Sequence, residues 1–151
     1  MPDKKIKLDI YSKNTWCPGC SNFGILAVLK NVISSLIKDG VKKENIVLVS
    51  GIGCSSKIID YINLNSFSSL HGRPVVSAEG IKLGNPDLKV IVCAGDGGTY
   101  NEGISHLIHA AKRNIDIFYK EKRPVYEEAL LGKLNPSKRN RKINLKKIIK
   151  E

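Results

Sequence analysis

Two turns and one loop of this sequence carry side chains able to do chemistry at close spacing. The first is Gly95-Asp96-Gly97-Gly98, an acid set among glycines. Glycine tolerates positive φ and lets a ligand come close to the backbone. Placed after a strand and before a helix, such a turn aims a carboxylate and unpaired N–H groups at one point, which suits a phosphate and its metal ion. The same residues also make a plain turn capped by Asp96. The second turn is Gly51-Ile52-Gly53-Cys54-Ser55, with Lys57 just beyond it, a cation suited to an anionic ligand or simply to solvent. The loop is Trp16-Cys17-Pro18-Gly19-Cys20. Two thiols at that spacing chelate a metal or cluster, form a redox disulfide, or sit half-buried with no ligand. Trp-Cys-Pro-Gly-Cys also has a superficial likeness to a thioredoxin active site. Cys54 is a candidate to meet Cys17 and Cys20. His71 and Arg73 can donate to phosphate or carboxylate, although a lone histidine before a proline turn is more often structural. His106 and His109, three apart, read as ordinary helix residues.

The elements that must hold these groups follow from periodicity. Val90, Ile91, Val92 and Cys93 form a short β-branched run without alternation, the pattern of a strand buried on both faces of a parallel sheet. Residues 45–50, NIVLVS, read the same way and also end in a glycine turn. Thr99 and Glu102 have capping-box spacing, which predicts a helix from about Tyr100 with Ile104, Leu107, Ile108 and Ala111 on one face. A longer helical stripe runs from Phe23 through Leu26, Leu29 and Ile33 to Ile37 and stops at Asp39-Gly40, so the Cys-x-x-Cys lies at its mouth. Residues 64–69 are polar and read as a loop, and residues 6–11 as a short strand or extended arm. Ile115, Ile117 and Phe118 suggest a further strand that runs at once into charged residues. Two strands ending in glycine turns, each followed by a helix-like segment, predict a parallel α/β sheet with its ligand site at the strands' carboxyl ends.

A chain of 151 residues with 42% hydrophobic content has room for one domain with a core. The net charge of +11 is uneven, because residues 117–151 hold 11 basic and 4 acidic residues. We therefore divide the chain at 117, with 1–117 the folded domain and 118–151 a basic tail. The tail lacks any nucleic-acid motif, so a solvated or partner-docking role is favoured over nucleic-acid binding. No run approaches the roughly 20 apolar residues of a membrane span, and the first residues lack an apolar export signal, which predicts a cytoplasmic protein without a membrane partner. Four cysteines in that setting read as ligands, redox thiols or core residues rather than structural disulfides.

Four motifs in order, TWCPGCSNFGIL, VSGIGCSSKI, SLHGRPVVSAEGIKLGNPDL and KVIVCAGDGGTYNEGISHLIHAAKRNIDI, resemble the β subunit of the 2-oxoacid:ferredoxin oxidoreductases. That family uses thiamine diphosphate and an iron-sulfur cluster. The resemblance covers most of residues 12–117 and displaces the thioredoxin reading, which explains none of the later motifs. It implies a partial thiamine diphosphate-binding α/β fold, a parallel sheet with flanking helices. It further implies that Cys17, Cys20 and Cys54 match three of the four ligands of a [4Fe-4S] cluster, and that Asp96 matches the first Mg²⁺ ligand. Gly95, Asp96, Gly97 and Gly98 would lie at the cofactor diphosphate, with Gly51, Gly53, Cys54, Ser55 and Lys57 close to the cofactor and the 2-oxoacid carboxylate. His71 matches the family's histidine before the next motif. The implied reaction is oxidative decarboxylation of a 2-oxoacid such as pyruvate or 2-oxoglutarate to an acyl-coenzyme A, with electrons passed to ferredoxin and an α-type subunit as partner.

The sequence also departs from the family. The window that holds the second Mg²⁺ ligand, an asparagine after an apolar strand, here reads KEKRPVYEE. No cysteine follows Cys93, so the fourth cluster ligand has no counterpart, and Asn135 sits in a basic Asn-Pro turn. A remnant or internally deleted β subunit, inactive by itself, is the resulting expectation, with a non-catalytic diphosphate or metal-binding module, or a basic-tailed interaction protein, as the alternatives.

Overall fold

The computed structural model describes residues 7–10 and 12–122. Seven principal elements follow in order: α1 (Asn22–Lys38), β1 (Ile46–Ser50), β2 (Asn65–Ser68), α2 (Pro74–Gly84), β3 (Lys89–Gly95), α3 (Ile104–Arg113) and β4 (Phe118–Lys122). A 3-10 segment, Ser56–Tyr61, links β1 to β2. The strands make one fully parallel sheet in the order β2-β1-β3-β4.

The period of two along β1 and β3 divides their side chains between two cores. Ile46, Leu48, Ile91 and Cys93 face α1 and the 3-10 segment, packing with Leu26, Leu29, Ile33 and Ile58. Val49, Val90, Val92 and Ala94 face α2, where Ala78 is buried. Burial on both sides is why these strands read as unbroken apolar runs. Right-handed crossovers from β2 to β3 and from β3 to β4 run in the same direction, so α2 and α3 belong on one face. They pack against each other.

Helix ends follow local chemistry. At the end of α1 Gly40 has φ +95, Gly40 N–H donates to Ile37 O and Val41 N–H to Leu36 O, the Schellman pattern. Pro74 opens α2, where its missing N–H costs nothing. Asn114 closes α3 with φ +52 and the same pair of bonds, to Ala111 O and Ala110 O.

Four expectations are corrected. Residues 64–69, expected as a loop, contain β2; all four of its residues are exposed, and it exists by parallel pairing with β1, Val47 opposite Asn65 through Ser50 opposite Ser68. The helix expected from about Tyr100 starts at Ile104, because residues Gly97–Asn101 form one π-helical turn and the capping box is not made. Thr99 Oγ1 donates to Gly95 O instead, at 2.9 Å. The expected stripe of that helix does not face inward throughout: Ile104 and Ile108 are exposed, and Ala110 is the residue α3 buries. Finally, the strand suggested at 115–118 begins at Phe118 and continues through Lys122, pairing Ile91 with Phe118 and Gly95 with Lys122, so the sheet extends past residue 117. The remaining tail, with Asn135, lies outside the described residues.

Candidate functional site

β1 and β3 are neighbours whose connections leave in opposite directions, β1 toward β2 at one edge and β3 toward β4 at the other. This is a topological switch point, where two divergent turns leave a crevice at the strands' carboxyl ends. Both glycine turns lie there. Residues 52–55 form one wall of a cleft of about 410 Å³ and residues 95–98 the other, with His71, Asn101 and Glu102 completing it. The walls are in contact: a Cβ on Gly95 would stand 3.2 Å from Ser55 Oγ. At Gly53 and Gly97 a Cβ would meet nothing within 4 Å, so both turns offer open backbone to the cleft. The carboxylate of Asp96 is exposed there.

The floor and rim are held by short polar links. Ser56 Oγ donates to Ile52 O at 3.1 Å, shaping the first turn, and Ser69 N–H donates to Ser50 O at 2.8 Å beneath it. In the second turn Glu102 N–H reaches back to Gly97 O at 3.3 Å. His71 Nδ1 lies 3.8 Å from Glu102 Oε2 across the rim.

The cysteine loop abuts this cleft from outside. Trp16 Nε1 donates to Cys54 O at 2.7 Å, and Thr15 Oγ1 is 3.0 Å from Tyr61 OH on the 3-10 segment. Lys57 Nζ donates to the same Thr15 Oγ1 at 3.1 Å and is absent from the residues lining the cleft. Cys17 and Cys54 are exposed, Cys20 is half-buried and Cys93 is buried in β3, and none of the four forms a disulfide among the described residues. Among the described residues no three His, Cys, Asp or Glu side chains are gathered to hold one metal ion.

Comparison with known proteins fits this geometry. The family model described as thiamine pyrophosphate enzyme, C-terminal TPP binding domain, matches residues 51–119, the span from the first glycine turn to β4. Over 102 residues, 68% of this chain, the sequence is 47% identical to 2-oxoacid:ferredoxin oxidoreductase 1, subunit beta, of Aeropyrum pernix. This chain is related to the β subunits of the 2-oxoacid:ferredoxin oxidoreductases. It is also 49% identical over 102 residues to the 2-oxoglutarate synthase subunit KorB of Methanothermobacter thermautotrophicus. Among solved structures, the 2-oxoglutarate:ferredoxin oxidoreductase from Magnetococcus marinus, with 2-oxoglutarate, coenzyme A and succinyl-CoA bound, superposes with a TM-score of 0.71 at 34% identity, covering 76% of this chain and 38% of that one. The chain spans about a third of the length of these curated relatives, 31% of the first and 35% of the second.

Set against the oxidoreductase motifs, the cleft collects Gly53, Cys54, Ser55, His71, Gly95, Asp96, Gly97 and Gly98. Gly51 is buried just behind the first turn, where a Cβ would stand 3.3 Å from Pro74 Cγ. Lys57, Cys17 and Cys20 lie outside the cleft. Asn101 and Glu102 line it without having been singled out as site residues. The sequence pattern assigns Glu102 to a cap, whereas it follows the π turn Gly97–Asn101 and lies at the rim.

Proposed function

We propose that this chain is the thiamine diphosphate-binding portion of a 2-oxoacid:ferredoxin oxidoreductase β subunit. The single observation that carries this is the meeting of the 51–55 and 95–98 turns at the switch point, with the Asp96 carboxylate lining a cleft of about 410 Å³, within the usual size of a small-molecule site. The donor set suits the group. Gly53 and Gly97 leave their backbone open to an anion, and Asp96 with diphosphate oxygens and water is the kind of all-oxygen set Mg²⁺ takes. Thiamine diphosphate supplies, when bound, the carbanion chemistry of 2-oxoacid decarboxylation; the chain's own part is binding and orientation. Asp96 would hold the metal and the glycine turns the diphosphate.

In this reading the substrate is a 2-oxoacid, coenzyme A accepts the acyl group, ferredoxin accepts the electrons, and an α-type subunit completes a cytoplasmic enzyme. Lys57, held at Thr15, would have to leave that bond to reach a substrate carboxylate. Cys17, Cys20 and Cys54 stand on two loops joined through Trp16, and they are not arranged as a formed metal site, so no step is assigned to a [4Fe-4S] cluster. Alone, the chain is expected to be inactive.

The test is thermal stabilisation by thiamine diphosphate with Mg²⁺. At a ligand concentration 100 times its Kd the gain is about 2.7 kcal/mol. Wild type should gain several degrees and Asp96→Ala nothing; equal gains in both would overturn the reading. Purified chain given thiamine diphosphate, Mg²⁺, a 2-oxoacid and a redox dye should reduce the dye negligibly.

A further inference from the structure

His71 and Glu102 reach the cleft from different elements, the loop before α2 and the turn before α3, and Nδ1 stands 3.8 Å from Oε2. Both side chains are more than half exposed, so their attraction alone is weak. What joins them is backbone. Gly72 has φ +66, and a Cβ there would stand 2.7 Å from Glu102 Cβ and 2.9 Å from Glu102 C. Gly103 answers from the other side, where a Cβ would stand 2.8 Å from Gly72 O and 2.6 Å from Gly98 O. Two glycines thus press the segment carrying His71 onto the segment carrying Glu102. The approach needs both Cβ atoms missing.

The charge of Glu102 is otherwise out of place. The cleft already holds Asp96, and a second carboxylate would repel an anionic ligand. The other titratable lining group is Cys54, while Arg73 flanks His71 in sequence. We propose that Glu102 is a positioning residue: its carboxylate holds His71 through Nδ1 and leaves Nε2 to donate to a phosphate or carboxylate oxygen of the ligand. The negative charge is then spent on the imidazole instead of on the ligand. This rests on the reading of the cleft as an anion site.

The probe is inorganic diphosphate, without thiamine or Mg²⁺, titrated calorimetrically into the full chain at pH 6. Charge alone predicts that removing Glu102 tightens diphosphate binding. Positioning predicts the opposite sign. Glu102→Ala should weaken binding about fivefold, and Glu102→Gln, whose amide oxygen can accept from Nδ1 once the two side chains close the present 3.8 Å, should stay within about twofold of wild type. In a His71→Gln background Glu102→Ala should no longer weaken binding, and the ring ¹⁵N signals of His71 should change in Glu102→Ala but little in Glu102→Gln. Melting curves establish that each variant is folded; if the alanine variant is not, Glu102→Leu takes its place. Wild-type or tighter binding by the alanine variant, the same loss in both His71 backgrounds, or no diphosphate binding by wild type would overturn the proposal. Failure of the cofactor reading looks different: diphosphate coupling persists while thiamine diphosphate with Mg²⁺ binds no tighter than diphosphate.

Discussion

The indole of Trp16 donates its Nε1 hydrogen to the carbonyl of Cys54 at 2.7 Å, tying the loop of Cys17 and Cys20 to the first turn of the cleft. Trp16 is buried and stacks edge-on with Tyr61 at 4.8 Å and Phe23 at 5.4 Å. It is therefore both the plug of the α1-side core and the clasp of the site. Trp16→Phe keeps an aromatic ring but loses the bond and part of the volume, which should cost about 2 kcal/mol. The melting midpoint should fall by about 5 °C. Alkylation of Cys54 should also accelerate, as its turn loosens; an unchanged midpoint would show that the bond carries no weight.

Gly103 offers a sharper test of the cleft rim. A methyl group there meets two backbone carbonyls, Gly98 O and Gly72 O, and neither belongs to a flexible side chain that can swing aside. Gly103→Ala should cost about 3 kcal/mol, at the upper end of overpacking penalties. The strain must open the contact between residues 72 and 102, so binding of thiamine diphosphate should weaken along with stability. Gly24→Ala, on α1 with nothing within 4 Å of its Cβ, serves as the control and should be neutral or slightly stabilising.

The contrast between β1 and β2 shows what the sequence could disclose. Ile46, Leu48 and Val49 are buried, so the demand of the core is written into the residues of β1. β2 is NSFS and exposed throughout, and its strand character comes from the register imposed by β1. No propensity argument reaches that. The glycine turns were legible because glycine has a physical meaning wherever φ or contact demands it, whereas the rim was not. Thr99 and Glu102 fit a capping box equally well on paper. The deciding fact is that the N–H of Glu102, which a cap would give to Thr99 Oγ1, goes to Gly97 O, while the Glu102 carboxylate lies beside His71. Likewise the spacing of Lys57 put it near a ligand, and its bond to Thr15 puts it with the cysteine loop.

Among the described residues Asp9 gives the one clear pH effect. Lys30 Nζ donates to Asp9 Oδ1 at 2.7 Å, and this bond, with the ammonium charge, holds the carboxyl below its ordinary value of 3.8. A depressed carboxyl stabilises the fold above its unfolded pKa and loses that contribution as pH falls through the folded one. The difference in melting midpoint between wild type and Asp9→Asn should thus be present at neutral pH, begin to shrink as pH falls past 3.8, and be gone once pH has passed the lower folded-state value. Asp9 is exposed, so the difference should be small and should shrink further in 1 M salt, where the Debye length is about 3 Å. A difference that persists in acid would place its origin elsewhere.

Glu79 and Arg113 join α2 to α3, with Arg113 Nη1 donating to Glu79 Oε2 at 3.0 Å. Glu79 is 4% exposed and its Oε1 has no hydrogen-bond partner among the described residues, while Arg113 reaches solvent. The pair is thus lopsided: the carboxylate carries the cost of desolvation and the guanidinium offsets it from the rim. Removing the guanidinium strands a buried charge, a loss of about 3–5 kcal/mol for a fully enclosed pair. With Arg113 half in water, Arg113→Met should cost about 2 kcal/mol. Removing both charges lifts the desolvation cost as well, so Glu79→Met with Arg113→Met should recover most or all of the wild-type stability. Denaturant unfolding of the two single variants and the double variant closes the cycle. A double variant less stable than Arg113→Met alone would mean that the pair, and not apolar packing, holds α3 against α2 and keeps the second turn of the cleft in place.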